Sequence, residues 1–219
     1  MFTSCVSNSV RYTLRQYQAE AVGATWDYLI NKSGHPLLVL PTGAGKSLII
    51  ADLAKGAYEH GRKVLILAHR KELLAQNREK IQGILPKAKI GAYSAGLKSK
   101  DIDDDIIVAG IQSCYKKAHE FGERHLVLVD EAHLIPSKDS GMYRQFLSDL
   151  QGCCPYFRMV GLTATPYRLD AGRIYGPDDD QMFDAIAYQA EIGRLIDLSL
   201  IHISEPTRRT IPSRMPSSA

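Results

Sequence analysis

Apolar residues recur along this chain at two different periods, and the alternation between the two defines the fold class. Thr13 followed three residues later by Gln16 reads as a capping box, and Leu14, Tyr17, Ala21, Ala24 and Tyr28 then repeat at helical spacing. A helix over about 14–31 is predicted. Pro36 to Leu40 is a short, continuously apolar run between turn residues, as expected of a strand covered on both faces. Ser47 to His60 returns to helical spacing and stops before Gly61. The alternation continues with a strand at 64–68, a helix over 71–84 ending before Pro86, and a strand at 89–93. Further strands are predicted at 106–109, 125–129 and 158–162, with helices near 111–119 and 140–151. Polar stretches at 98–105 and 178–180 read as loops, and no internal repeat is visible. Strand and helix taking turns implies an α/β domain with a mostly parallel sheet and helices on both faces.

Composition adds boundaries to this picture. With 219 residues, 45% apolar and 23% charged, the chain is an ordinary globular sequence with room for one or two domains, and neither fibrous nor wholly disordered. No apolar run reaches bilayer length, and Met1 to Val10 lacks the basic-then-apolar layout of a signal peptide. No membrane association and a cytoplasmic location are expected. Cys5, Cys114, Cys153 and Cys154 have no metal-ligand spacing and are read as reduced thiols. The formal net charge is +3, but three of the 27 cations and one of the 24 acids lie past Asp197, so the remainder is almost neutral. Any nucleic-acid site must therefore be built from local groups.

The chemistry begins between the first predicted strand and the second helix. In Pro41-Thr42-Gly43-Ala44-Gly45-Lys46-Ser47 the glycines let backbone N–H groups curl around a phosphate, and the helix N-terminus adds partial positive charge. Lys46 can reach β- and γ-phosphate oxygens, and the Ser47 hydroxyl can ligate Mg2+. Thr42, Gly43, Ala44, Gly45, Lys46 and Ser47 are thus the candidate ATP-binding residues. The full phosphate-loop pattern has a glycine where this chain has Leu40, so the motif is a variant. Far downstream, the apolar run Leu126 to Val129 delivers Asp130 and Glu131 at a strand end, where ligands of open α/β sheets sit. Asp130 would hold Mg2+ directly or through its water, and Glu131 would orient and deprotonate the attacking water.

Together, Pro41 to Ser47, Asp130-Glu131-Ala132-His133 and Thr163-Ala164-Thr165 resemble motifs I, II and III of superfamily 2 helicases of the DEAD/DEAH group. The resemblance implies a RecA-like P-loop NTPase domain over about 10–197 that acts as a DNA-dependent ATPase. It also assigns residues. Leu14-Arg15-Gln16-Tyr17-Gln18 is similar to the adenine-reading segment, in which Gln18 would bond the base edge and Arg15 would pack near it. His133, with Thr163 and Thr165, would couple the γ-phosphate to motif III. Ala68 to Gln76 and Gly110 to Ser113 look like the strand-tracking motifs. Independently of the resemblance, Arg70, Lys71, Gln112 and Ser113 at two helix starts can bind phosphates without reading sequence; that the nucleic acid is DNA rather than RNA is what the resemblance implies.

The wording of Leu40 to Ser47, Leu67-Ala68-His69 with Lys71-Glu72-Leu73, and Gly161 to Leu169 is most similar to the RadD (YejH) type of bacterial DNA-repair ATPase. The motor of a type I or III restriction enzyme is the alternative, and a non-catalytic nucleotide-gated nucleic-acid-binding module is another. Superfamily 2 motors bind ATP between two RecA-like domains, and the second domain is missing from this sequence. Past Asp197 periodicity ends, and Leu198 to Arg208 resembles a translated sequencing adapter, so Leu198 to Ala219 is expected to be a disordered, non-native read-through, a native flexible tail being the alternative.

Overall fold

The computed structural model describes residues 12–135, 141–168, 172–177 and 181–191. The first helix, α1 (Gln16–Asn31), starts later than the capping box at Thr13 suggested. Arg15 is its N-cap, and the side chain of Gln18 reaches back so that its Oε1 accepts the Arg15 N–H at 2.9 Å. A reciprocal bond from a residue in the first turn fixes the start, and Thr13 lies outside it.

The strands and helices then follow in the predicted alternation: β1 (Pro36–Val39), α2 (Lys46–Glu59), β2 (Val64–Ala68), α3 (Lys71–Ile84) and β3 (Ile90–Ser94). A two-residue strand, β4 (Ser99–Lys100), pairs antiparallel with β3 inside the stretch read as a loop. Next come β5 (Ile106–Gly110), a single helical turn α4 (Ile111–Cys114), β6 (Leu126–Asp130), α5 (Met142–Cys153) and β7 (Arg158–Thr163). The helix predicted near 111–119 shrinks to α4. The Lys117 N–H turns to Cys114 O at 2.8 Å, a tighter three-residue closure, and a 3-10 turn at Ala118–Phe121 replaces the second half. A small antiparallel pair, β8 (Tyr167–Arg168) with β9 (Gly172–Arg173), and a final strand, β10 (Ala185–Gln189), had no counterpart in the pattern. Residues of β10 are only half-buried, so its sequence carries no strong apolar run.

Eight strands form one sheet in the order β10-β1-β7-β6-β2-β5-β3-β4, parallel except for the β3–β4 pair. Alternate side chains of each strand enter two separate apolar layers. Leu38, Leu40, Ile66, Val108, Leu128 and Val160 pack with Ile49, Ile50 and Leu53 of α2 and with α1 and α3. Leu37, Leu65, Leu67, Ile107, Val127 and Val129 face Phe121, Tyr143, Phe146 and Leu150 on the other side. A buried aliphatic side chain contributes about 2 kcal/mol and a backbone hydrogen bond about 1, so burial in two layers dominates the assembly.

Two arginines, Arg124 buried and Arg158 half-buried, close the edge where the strands begin. The Arg124 guanidinium donates to the carbonyls of Phe121, Ile102 and Asp104 at 2.7–2.9 Å. Arg158 likewise donates to Leu29 in the last turn of α1 and to Lys32 and Gly34 beyond its end. The described cysteines, Cys114, Cys153 and Cys154, are free thiols, and burial pushes Cys114 up to about 12. No helix among the described residues is long and apolar enough to cross a membrane. The loop reading of 178–180, Cys5 and the tail 198–219 lie outside the described residues.

Candidate functional site

Every candidate residue sits at or just beyond the carboxyl end of a strand, or at the start of α1 beside the loop after β1. The strand order divides that edge into two halves. The ends of β1, β7 and β6 are adjacent and carry the phosphate loop, Thr163 and Asp130, whereas β2, β5 and β3 are adjacent and carry the segments at 69–71, 110–113 and 94–97.

Leu40, the departure from the full phosphate-loop pattern, continues the ladder. Its N–H donates to Thr163 O at 2.8 Å and its side chain is fully buried, so no glycine is required there. Curvature begins afterwards. Gly43 and Gly45 have φ of +82° and +74°, a region L side chains avoid, and Gly45 caps α2. A Cβ at Gly45 would also stand 2.6 Å from Gln18 Nε2. Thr42 and Gly43 are exposed and Ala44 is buried. The Ala44 carbonyl is held twice from α1, by the Tyr17 hydroxyl at 2.8 Å and by Gln18 Nε2 at 2.9 Å. Both ends of the Gln18 amide are therefore engaged, one on the loop and one on Arg15 N–H, while Arg15 itself is exposed. Ser47 is buried in the first turn of α2.

Lys46 Nζ lies 3.3 Å from Glu131 Oε1, so the cation of the loop and the carboxylate of β6 face one position. Glu131 adopts φ +53°, ψ +53°, left-handed backbone rare for a residue with a side chain. Its N–H donates to Asp130 Oδ1 at 3.0 Å, and Asn77 Nδ2 donates to Asp130 Oδ2 at 3.0 Å. Burial raises the Asp130 pKa, with the Asn77 bond and Lys46 opposing it. His133 Nδ1 stands 3.0 Å from Thr163 Oγ1 and 3.4 Å from Glu131 Oε2. Thr163 spends its own proton on Thr165 O and accepts the Thr165 N–H, so the hydrogen of His133 belongs on Nδ1. Burial lowers the His133 pKa, Glu131 opposing. Arg168 Nε holds the His133 carbonyl at 2.8 Å. His133, Thr163 and Thr165 are thus one hydrogen-bonded unit touching Glu131.

On the other half of the edge, Arg70 and Lys71 are exposed at the start of α3, and exposed Gln112 is 3.2 Å from His69 Nε2. The Ser113 hydroxyl accepts the Ala95 N–H at 3.0 Å, so the turn at 94–97 joins this surface as a third wall. That turn was not anticipated, nor were Tyr17 and Asn77. Asn77 did leave a signal: with Leu74 and Ile81 it forms the buried stripe of α3, where an amide interrupts an apolar face.

Residues 11–168 match the family described as "Type III restriction enzyme, res subunit". IRC3 of Saccharomyces cerevisiae, an ATP-dependent helicase by name, is 27% identical over 199 residues, 84% of this chain and 27% of that protein. The chain spans about a quarter of the length of the curated relatives it matches. Among solved structures, the UvsW helicase from bacteriophage T4 superposes with a TM-score of 0.59 at 25% identity, covering 83% of this chain and 62% of that one. The Type ISP restriction-modification enzyme LlaGI, solved with a DNA substrate mimic, gives 0.63 at 18% identity over 86% of this chain and 21% of that one. The latter likeness is one of fold, a mostly parallel sheet with flanking helices.

Proposed function

The chain belongs to the family described as Type III restriction enzyme, res subunit, and from that premise we propose that it is the ATP-binding half of a superfamily 2 motor acting on DNA. One observation carries the reading. Lys46, the first residue of α2, and Glu131, just past β6, converge at the mouth of a glycine loop, 3.3 Å apart, and so set a cation and a carboxylate where a γ-phosphate and its attacking water would meet. Lys46 and the loop amides stabilise charge on the transferring phosphoryl group, and Glu131 takes the proton of the attacking water. His133, Thr163 and Thr165 report the state of Glu131 to the segment beyond β7, and Arg15 and Gln18 flank the adenine.

Ser47 and Asp130 would hold Mg2+, which when bound neutralises β- and γ-phosphate oxygens. The donor set suits that ion. One hydroxyl and one carboxylate leave the remaining positions to phosphate and water, as Mg2+ prefers, and among the described residues no cluster of three or more His, Cys, Asp or Glu side chains offers a closed metal cage.

Arg70, Lys71, Gln112 and Ser113 form the groove for the DNA backbone, and neighbours solved with a DNA substrate mimic and with double-stranded DNA support DNA as the partner. A second RecA-like domain would complete both the ATP cleft and the groove. DNA repair of the RadD type is the biological role we favour, from the motif wording, in the cytoplasm. The family description and the LlaGI likeness favour the motor of a restriction enzyme as the second reading. From the sequence pattern we place the domain at 10–197 and take 198–219 as a non-native read-through, whose deletion should leave the melting temperature unchanged. Titration calorimetry with ATP tests the core of the proposal. Mg2+-dependent binding with little turnover by the 219-residue chain is expected, and no ATP binding would overturn it.

A further inference from the structure

Asp130 is nearly fully buried, and its carboxylate is held on both oxygens by groups from two different elements. One bond is local, from the Glu131 N–H to Oδ1. The other comes from Asn77, a completely buried residue 53 positions away on α3, whose Nδ2 reaches Oδ2 at 3.0 Å. With both oxygens held, the carboxylate plane cannot turn about its last bond, and the lone pairs left over point in fixed directions. Burying an amide on an apolar stripe is costly unless it is used. Here half of it is idle: Asn77 Oδ1 has no hydrogen-bond partner, and the hydroxyl of Tyr143, a residue of α5, has none either. A packing role would be served by an apolar side chain such as leucine, which has the same branched skeleton of heavy atoms and strands no acceptor. The retained half, the Nδ2 donor, is the half that meets Asp130.

We propose that Asn77 is a positioning residue that fixes the Asp130 carboxylate, through its Nδ2–Oδ2 hydrogen bond, in the orientation that receives the Mg2+ of Mg·ATP. The inference rests on the proposed function, in which Asp130 faces the metal, and extends it to a side chain outside every recognised motif. Hydrogen-bond partners behind a metal-binding carboxylate act by orienting it, and losing one typically weakens metal affinity about 10- to 100-fold. The effect must then appear only in the metal-dependent part of nucleotide binding. Lys46 and the loop amides hold the phosphates whether or not Asp130 is aligned, so metal-free ATP should bind the variant as it binds the wild type.

The test is calorimetric titration of ATP into the 219-residue chain, in saturating Mg2+ and again in EDTA, for the wild type, Asn77→Leu and Asn77→Ala. Leucine keeps the branched skeleton and crowds the site while alanine leaves a cavity, so their melting temperatures will differ while the lost donor is common to both. The expected result is a gain in ATP affinity on adding Mg2+ that is cut about tenfold or more in both variants, with EDTA affinities equal to wild type. A wild-type gain kept intact in Asn77→Leu, or a variant weakened equally in Mg2+ and EDTA, overturns the proposal and leaves the nucleotide site standing. A wild type that binds ATP with no Mg2+-dependent gain overturns this proposal alone, and a wild type that binds no ATP overturns the nucleotide reading with it.

Discussion

Lys46 Nζ and Glu131 Oε1 stand 3.3 Å apart, a cation and a carboxylate that neutralise one another. In the proposed function these are the group for the γ-phosphate and the base for its water, and nucleotide would part them. Lys46→Ala should reduce ATP affinity by orders of magnitude, because the charge and its hydrogen bonds to phosphate vanish together. Glu131→Gln should leave Mg·ATP binding intact or tighten it by up to about fivefold, since a partly exposed ion pair is worth at most about 1 kcal/mol. In an assembly with its second domain the same variant should not hydrolyse ATP. Calorimetry and phosphate release separate these outcomes, and equal loss of binding in both variants would remove Glu131 from the catalytic role.

Gln18 bridges the start of α1 and the loop through its contacts with Arg15 N–H and Ala44 O. Gln18→Ala should therefore weaken every nucleotide, by about tenfold for a lost hydrogen bond of ordinary strength, because the loop loses an anchor. An additional penalty for ATP over inosine triphosphate, which lacks the N6 amine, would measure the base contact. Competition binding with both nucleotides reads the two components, and unchanged affinity for both would take Gln18 out of the pocket.

Arg70 and Lys71 are exposed beside a helix start, the placement expected of side chains that meet phosphates and carry no sequence information. Replacing both with alanine should weaken single-stranded DNA evenly across sequences. The slope of log affinity against log salt should become shallower by up to about 1.4, at roughly 0.7 per neutralised phosphate on a single strand. Fluorescence anisotropy across a salt series gives that slope directly, and a slope equal to wild type would place both outside the groove.

His35 precedes β1, stacks on Phe157, and its Nδ1 accepts the Met159 N–H at 3.2 Å. Accepting that bond requires the neutral ring, and burial lowers its pKa below the ordinary 6.5, the Asp184 carboxylate opposing. The unfolded chain then takes up the proton first as pH falls. Stability should be complete above about pH 6.5 and decline as pH drops from there through the folded value. His35→Asn keeps an acceptor without the titration and should flatten that decline in melting temperature between pH 7 and 5, values chosen to bracket about 6.5.

Arg124 is 2% exposed and supplies donors to three carbonyls of the 102–121 region. Arg124→Met keeps most of the apolar stem but leaves those carbonyls buried without partners. A loss of about 3 kcal/mol is expected, or roughly 10 °C in melting temperature for a domain of this size. A change of less than about 2 °C in thermal unfolding would show that water replaces the guanidinium.

Much of this molecule is written in local order. The switch between continuous apolar runs and helical spacing marks β1, α2, β2, α3, β3, β5, β6 and β7, because a strand buried on both faces and a helix buried on one leave different periods. The glycines at 43 and 45, and the acids closing the run at Leu126–Asp130, announce themselves by residue type, since few side chains tolerate a positive φ or end an apolar strand with two charges. Strand order could not be read that way. Val64–Ala68, Ile106–Gly110 and Leu126–Asp130 are interchangeable as patterns, each apolar on both faces, so nothing in them says that β2 lies between β6 and β5. That choice belongs to the packing of the whole sheet, and it is what brings Thr163 beside Leu40 and sets the phosphate half of the edge against the groove half. The edge strands β4 and β10 and the turn at 94–97 are likewise made by their neighbours, having too little apolar surface to declare themselves. The same holds for the Asn77–Asp130 bond: the sequence displays an amide on an apolar stripe, and only the packing of α3 on β2 and β5, with β6 the next strand beyond β2, brings that amide to a carboxylate it can hold.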